Sequence, residues 1–236
     1  AEAHAPLSNA RPKPGWSEQD PADWISAAEN ALTALAAKTT LAGVRGIGLS
    51  GHMHGATLLD ASDDVLRPCI LWNDTRAHVE AAAMDADPQF RAITGNIVFP
   101  GFTAPKLAWV QTHEPDIFAR TAKILLPKDF LRLWLTGEHV AEMSDAAGTS
   151  WLDTARRDWS DDLLAETGMT RAQMPRLVEG SEASGHIRDE LAAQWGLPKG
   201  VVVAGGGGDN AASAVGVGVV KAGDALVSLG TSGVLF

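Results

Sequence analysis

The stretch VVVAGGGGDNAASAVGVG, residues 201 to 218, constrains this chain more than any other. Val201, Val202, Val203 and Ala204 are β-branched or small apolar residues without polar alternation, which suits a strand of a parallel sheet covered on both faces by helices. Four glycines end that strand. Without Cβ atoms they allow a sharp turn and the close approach of another group, and Ala211, Ala212, Ala214 and Val215 predict a short helix packed on the sheet. Asp209 falls at the junction, and three readings of it stand. It is an N-cap; or it belongs to a dinucleotide loop through Gly206, Gly208 and Ala211; or it is a carboxylate aimed out of the sheet's end, into space that the glycines clear for a substrate. Against the dinucleotide loop stands KAGDALVSLGTSG, which puts Asp224 before the next strand, where that motif needs an acidic residue at the strand's far end.

The rest of the chain alternates strands with helices. Asp20 and Pro21 open a helix to about residue 37, an acidic cap before proline at the first position. VRGIGLSG, GATLLD, CILW and KILL read as strands; residues 75–84, 105–112 and 128–135, WSDDLLAETG and RDELAAQWG read as helices, the last ending at Gly196. This pattern predicts an α/β domain with helices on the faces of a sheet. At 236 residues and 45% hydrophobic content the chain can bury a sizeable core. A net charge of −10 without a basic run argues against nucleic acid or an anionic membrane as partner. The single cysteine, Cys69, excludes an intramolecular disulfide, and AEAHAPLSNARPKPGWSEQD lacks the apolar core of a signal peptide; both fit a cytoplasmic protein. The chain opens without Met and stops at SLGTSGVLF, where Val234, Leu235 and Phe236 begin a strand, so a domain truncated at both ends is expected.

Several constellations carry chemistry. His52 and His54 sit two apart at a strand end, hence on one face, bracketed by Gly51 and Gly55. They lack the third donor that a metal site needs, so satisfying turn carbonyls and contacting a ligand at the C-terminal end of a strand are the competing readings. Trp72 precedes Asn73 and Asp74, where an indole can pack on the apolar face of a sugar while the polar pair fixes the loop. Asp145, Thr149 and Asp153 read as turn-makers, and Lys128 and Asp129 as members of a helix's first turn. SLGTSG forms a tight turn after a strand, which is either a plain hairpin or a phosphate-cradling nest.

GHMHGATLLD, LRPCILWND, PGFTAPKLAWV, LLPKDFLRLWLTGE, MSDAAGTSWLD, GGGGDNAASAVGVG and SLGTSGV occur in the order and spacing found in the FGGY family of carbohydrate kinases, which the chain resembles over nearly its whole length. The resemblance implies an actin-like, ribonuclease-H-like architecture of two α/β domains with the active site between them. Residues 1–222 would form most of the N-terminal domain, without its first strands and first phosphate loop, and residues 223–236 the start of the C-terminal domain. By the same resemblance Asp209 is the catalytic base, Met53 and His54 contact a ketose, Trp72 lines the sugar site, Phe102 helps to wall it and Asn210 supports the Asp209 turn. Gly230, Thr231 and Ser232 hold the phosphates of ATP. The implied reaction is ATP-dependent phosphorylation of D-xylulose at its 5-hydroxyl, with Mg²⁺ whose main ligands lie in the absent N-terminal segment or act through water. The alternatives are another ketose or polyol, such as ribulose, and a non-catalytic sugar-binding or actin-like interaction domain. A pentulose and ATP are the expected partners, a homodimer of the full-length protein stays open, and the chain alone is expected to be inactive.

Overall fold

A computed structural model describes residues 1–229 and 233–236. β1 (Glu18–Gln19) leads to Asp20, whose carboxylate caps α1 (Pro21–Lys38) by accepting from the Ala22 amide at 2.9 Å. β2 (Gly46–Ile47), β3 (Ser50–Gly51), β4 (Thr57–Leu59) and β5 (Cys69–Ile70) follow. Then come α2 (His78–Ala86), α3 (Pro88–Thr94), α4 (Thr103–His113) and α5 (Pro115–Arg120). α3 and α5 go beyond the sequence reading, yet each opens on proline behind an acidic residue, Asp87 or Glu114, and Asp87 accepts from the Gln89 amide. β6 (Lys123–Leu125), α6 (Pro127–Thr136), β7 (Val140–Glu142) and the short α7 (Met143–Ala146) lead to the hairpin of β8 (Leu152–Asp153) and β9 (Asp158–Trp159). α8 (Asp161–Glu166) begins where the Ser160 hydroxyl accepts from the Leu163 amide. After β10 (Arg176–Val178) and β11 (Ala183–His186), α9 (Asp189–Trp195) ends at Gly196 in the left-handed conformation. β12 (Val202–Ala204), β13 (Gly207–Gly208), α10 (Asp209–Gly216) and the hairpin of β14 (Val227–Leu229) with β15 (Gly233–Leu235) close the order.

Two parallel pairs place the site. β12 runs parallel to β2, Val202 beside Gly46 and Val203 beside Ile47, and β13 runs parallel to β3, Gly207 beside Ser50 and Gly208 beside Gly51. The segments 44–51 and 201–208 therefore travel side by side in the same direction, and each is interrupted midway. The sheet around them is mixed, because β11 pairs antiparallel with β12. Val201 and Val203 are buried against Leu41, Leu191 and Trp195, whereas Val202 and Ala204 are only half-buried, so this strand is covered more fully on one face than its composition predicts. β4 pairs antiparallel with β6, and β5 with β1. A larger core gathers α2, α3, α4 and α8 around Trp151, Phe90, Leu107 and Leu163.

Candidate active site

His52 and Asp209 are the residues that follow β3 and β13, so the two parallel strands deliver an imidazole-bearing loop and a carboxylate to the same edge. Gly208 occupies the N-cap position of α10, and Asp209 is the first helical residue, which excludes the N-cap reading. The carboxylate is exposed, and its Oδ1 accepts from the Asn210 amide at 2.9 Å. Because a glycine stands at the cap, no side-chain oxygen from that position reaches the first-turn amides, and the positive end of α10 surrounds the carboxylate.

The glycines before it let other groups come close, as expected of residues without Cβ atoms. A Cβ on Gly205 would collide with the Glu179 carbonyl, and one on Gly206, which adopts φ +80°, with the Leu49 carbonyl. One on Gly208 would fall 2.9 Å from the Met53 side chain. The run thus lets neighbouring backbone and Met53 close on the strand end. Gly55 is closed off in the same way: the Pro127 ring fills the side where a Cβ would be, and a Cβ would lie 3.0 Å from Cys69 Sγ.

Met53 and His54 form the wall beside Gly208. His54 takes φ 69°, a left-handed conformation that breaks strand alternation, so the two imidazoles do not share a face. His52 meets the edge of Trp24, with centroids 5.8 Å apart. His54 stacks on Phe102 at 4.6 Å and bonds through Nδ1 to the Gly148 carbonyl at 2.8 Å. A Cβ on Gly148 would strike that ring. Burial, with Lys106 and His52 nearby, lowers the His54 pKa to about 4, against the opposing pull of the Gly148 bond. The ring is therefore neutral at pH 7. Since a carbonyl only accepts, Nδ1 carries the proton and Nε2 is left with a lone pair.

Lys106, to which the sequence reading gave no role, holds this wall in place. Its Nζ donates to the His54 carbonyl at 2.7 Å and to the Gly101 carbonyl at 2.6 Å, and Thr103 Oγ1 donates to the same His54 oxygen at 3.2 Å. Burial pushes its pKa down to about 7. The available signal was a lone cation in the otherwise apolar run of α4, where Thr103, Ala104, Pro105, Leu107, Trp109 and Val110 are all buried. Gly101 abuts the Trp72 backbone, and Trp72 itself is 49% exposed. Asp74 fixes that loop, accepting from the Ser17 amide at 2.6 Å and from Arg76 Nε at 2.9 Å and Nη2 at 2.7 Å.

Met53 packs on Gly208, the residue before Asp209; His54, next to Met53, stacks on Phe102; and Gly101, the residue before Phe102, abuts the Trp72 backbone. Asn210 joins through its backbone amide. Gly230, Thr231 and Ser232 lie outside the described residues. A cavity of about 750 Å³, lined by Leu49, Ser144, Gly207, Ala212 and Val215 among others, is lined by none of Met53, His54, Trp72, Phe102 and Asp209 but adjoins the strand end through Gly207 and Ser144. Thr149 and Asp153 make turns as expected. Asp145 does not: it is fully buried, 3.0 Å from Lys128 Nζ. Burial raises its pKa to about 7, against the pull of Lys128 and with the support of Asp129 and Glu142.

The model of the FGGY family of carbohydrate kinases, N-terminal domain, matches residues 1–216. Xylulose kinase of Escherichia coli (strain K12) is 57% identical over 231 residues, covering 98% of this chain and 48% of the relative. That of Bacillus subtilis (strain 168) is 42% identical over 227 residues, covering 94% and 46%. The crystal structure of a xyloylose kinase from Brucella ovis superposes with a TM-score of 0.95 at 67% identity, covering 99% of this chain and 49% of that one. The chain spans about half the length of the curated relatives it matches. On a family model matched over nearly the whole chain and relatives at this identity, the chain belongs to the FGGY family of carbohydrate kinases.

Proposed function

We propose that the whole protein transfers the γ-phosphoryl group of ATP to the 5-hydroxyl of D-xylulose, with residues 1–222 supplying the sugar side of the site and residues 223–236 opening the second domain. The observation that carries this reading is the juxtaposition of the exposed Asp209 carboxylate with Met53, whose side chain packs on Gly208.

In this reading Asp209 accepts the proton of the attacking hydroxyl. Phosphoryl transfer through a loose transition state asks more for an aimed acceptor than for a strong one. His54 supports the sugar by accepting a hydroxyl hydrogen bond at Nε2, and its neutrality at working pH keeps that lone pair available. Phe102, stacked behind the imidazole, holds the ring plane, and the half-exposed Trp72 offers an apolar face to the sugar's C–H side. In this reading Gly230, Thr231 and Ser232 hold the phosphates of ATP, and Asp209 stays on the sugar side. ATP and Mg²⁺, when bound, supply the phosphoryl group and offset its charge.

The test is a phosphorylation screen of the full-length protein against pentuloses, hexuloses and glycerol, with Asp209→Asn alongside. The expected result is selective turnover of D-xylulose. D209N should keep sugar binding while losing about 10²–10⁴-fold in turnover, the usual contribution of a general base. Preference for ribulose would reassign the substrate, and D209N within about tenfold of wild type would remove the base assignment.

A further inference from the structure

We propose that Ser144 is a positioning residue that sets the aim of Asp209, by tying the last glycine of the run to a buried carboxylate. This rests on the kinase reading of Asp209. The run is held at both ends by one polar network. At its start Arg132, fully buried on α6, donates through Nη1 to the Ala204 carbonyl and through Nη2 to the Gly205 carbonyl, both at 2.6 Å. At its end the Gly208 amide donates to Ser144 Oγ at 3.1 Å, and that hydroxyl donates in turn to Glu142 Oε1 at 2.9 Å.

The geometry leaves Ser144 little freedom. Glu142 also accepts from the Ser144 amide at 2.7 Å and the Asp145 amide at 2.9 Å, so one carboxylate fixes both the backbone and the hydroxyl of the serine. Glu142 is itself buried, 3.5 Å from Lys128 Nζ, and Lys128 reaches Asp129 at 2.7 Å. Lys128 lies against Gly51, the strand neighbour of Gly208, so the network underlies both strands that end at the site. Gly208 has no side chain with which to anchor itself, and it is the residue directly before the carboxylate. The hydrogen bond from its N–H to Ser144 Oγ ties the residue preceding Asp209 to the protein beneath. Chemistry that depends on aim is sensitive to such a tie: a misplacement of about 1 Å can cost ~10²-fold in rate.

The test compares wild type, Ser144→Ala and Ser144→Thr in the full-length protein, assayed well below the melting temperature with D-xylulose and ATP·Mg. S144A is expected to lower kcat about ten- to a hundredfold while the KM values for both substrates move less than about threefold, and S144T, which keeps the hydroxyl, to restore most of the rate. Selective glycine labelling with amide exchange should show the Gly208 amide protected in wild type and in S144T, and unprotected in S144A. An active wild type with S144A equal in kcat, or a Gly208 amide that exchanges freely in wild type, overturns the assignment alone; the second outcome decides the matter even if S144A does not fold. A wild type inactive on every sugar overturns the kinase reading and the assignment with it, while the exchange measurement still reports on the hydrogen bond by itself.

Discussion

His54 meets three demands at once: a left-handed backbone, an imidazole stacked on Phe102, and a carbonyl shared by Lys106 and Thr103. Its pKa of about 4 fixes the sign of its pH response. Between about pH 4 and 6.5 the unfolded chain takes up a proton at this position that the folded chain refuses. His54 therefore supports folding fully above pH 6.5, and the support is lost as pH falls toward 4, by about 3 kcal/mol in all. In the full-length protein the KM for xylulose should stay flat from about pH 5 to 6.5, where His54 is already neutral and Lys106, with a pKa of about 7, still donates as an ammonium. A break within that range that disappears in His54→Gln would refute the neutral-acceptor role. His54→Ala should raise the KM for xylulose more than that for ATP, by about tenfold if the lost hydrogen bond is worth ~1–3 kcal/mol; equal effects on both would point to a folding defect. Lys106→Met should act on the same wall from beneath. It leaves the Gly101 carbonyl without its ammonium donor and the His54 carbonyl with Thr103 alone, a loss of about 1–3 kcal/mol, so thermal unfolding should begin several degrees lower.

Among the elements, α6, β7 and α7 together bury Lys128, Asp129, Arg132, Glu142 and Asp145 under the strand ends. Burial pulls the Lys128 ammonium down, but the three carboxylates prevail and hold it above the ordinary lysine range. With two cations against three acids, Asp145 keeps its proton up to about pH 7. The sign is opposite to that of His54: the folded chain holds the extra proton, so this carboxyl's contribution is present below about pH 4 and is lost as pH rises through 7. Asp145→Asn keeps the shape and abolishes that loss. Melting temperatures of wild type and D145N should therefore diverge in favour of D145N between pH 5 and 9, and parallel curves would show that Asp145 is ionised throughout. The sequence could not reveal this. Asp145 stands in SDAAGTS, whose local chemistry is that of a turn, and its burial comes from Lys128, on a helix that begins at Pro127. What was legible were features written locally: the cap at Asp20, the stop at Gly196, and Asp209 at the end of a glycine-broken strand. That the glycines admit a close neighbour was legible too; which neighbour was not, because a collision with the carbonyl of Leu49 or Glu179 depends on which distant segment lies alongside.

In the proposed reading, the sugar-facing and nucleotide-facing groups of the whole molecule fall in different parts of the chain. Met53, His54, Trp72, Phe102 and Asp209 are carried on β3, β5, α4 and α10 or the loops between them, braced by Lys106, Asp74 and the buried charges. The phosphate-holding residues of the proposal, by contrast, follow β14, whose hairpin with β15 is largely exposed, with Leu229 at 85% and Leu235 at 80%. Val215, Val217 and Val220 add apolar surface ahead of that hairpin. Surface of this kind favours contact with other protein, so the 236-residue chain alone should associate reversibly with increasing concentration in sedimentation velocity runs. Its sugar wall depends on none of that region. Calorimetric titration of the chain with D-xylulose should therefore show weak binding, with a dissociation constant on the order of 1 mM, equivalent to about −4 kcal/mol. His54→Ala should abolish that heat. Titration with ATP·Mg should give little or none, and a coupled assay no turnover, because a phosphoryl donor held from one side only is not fixed in line with the hydroxyl. Robust ATP-dependent phosphorylation by these residues alone would mean that the sugar wall and a complete nucleotide site both lie within them, and the proposed division of labour between two domains would fall.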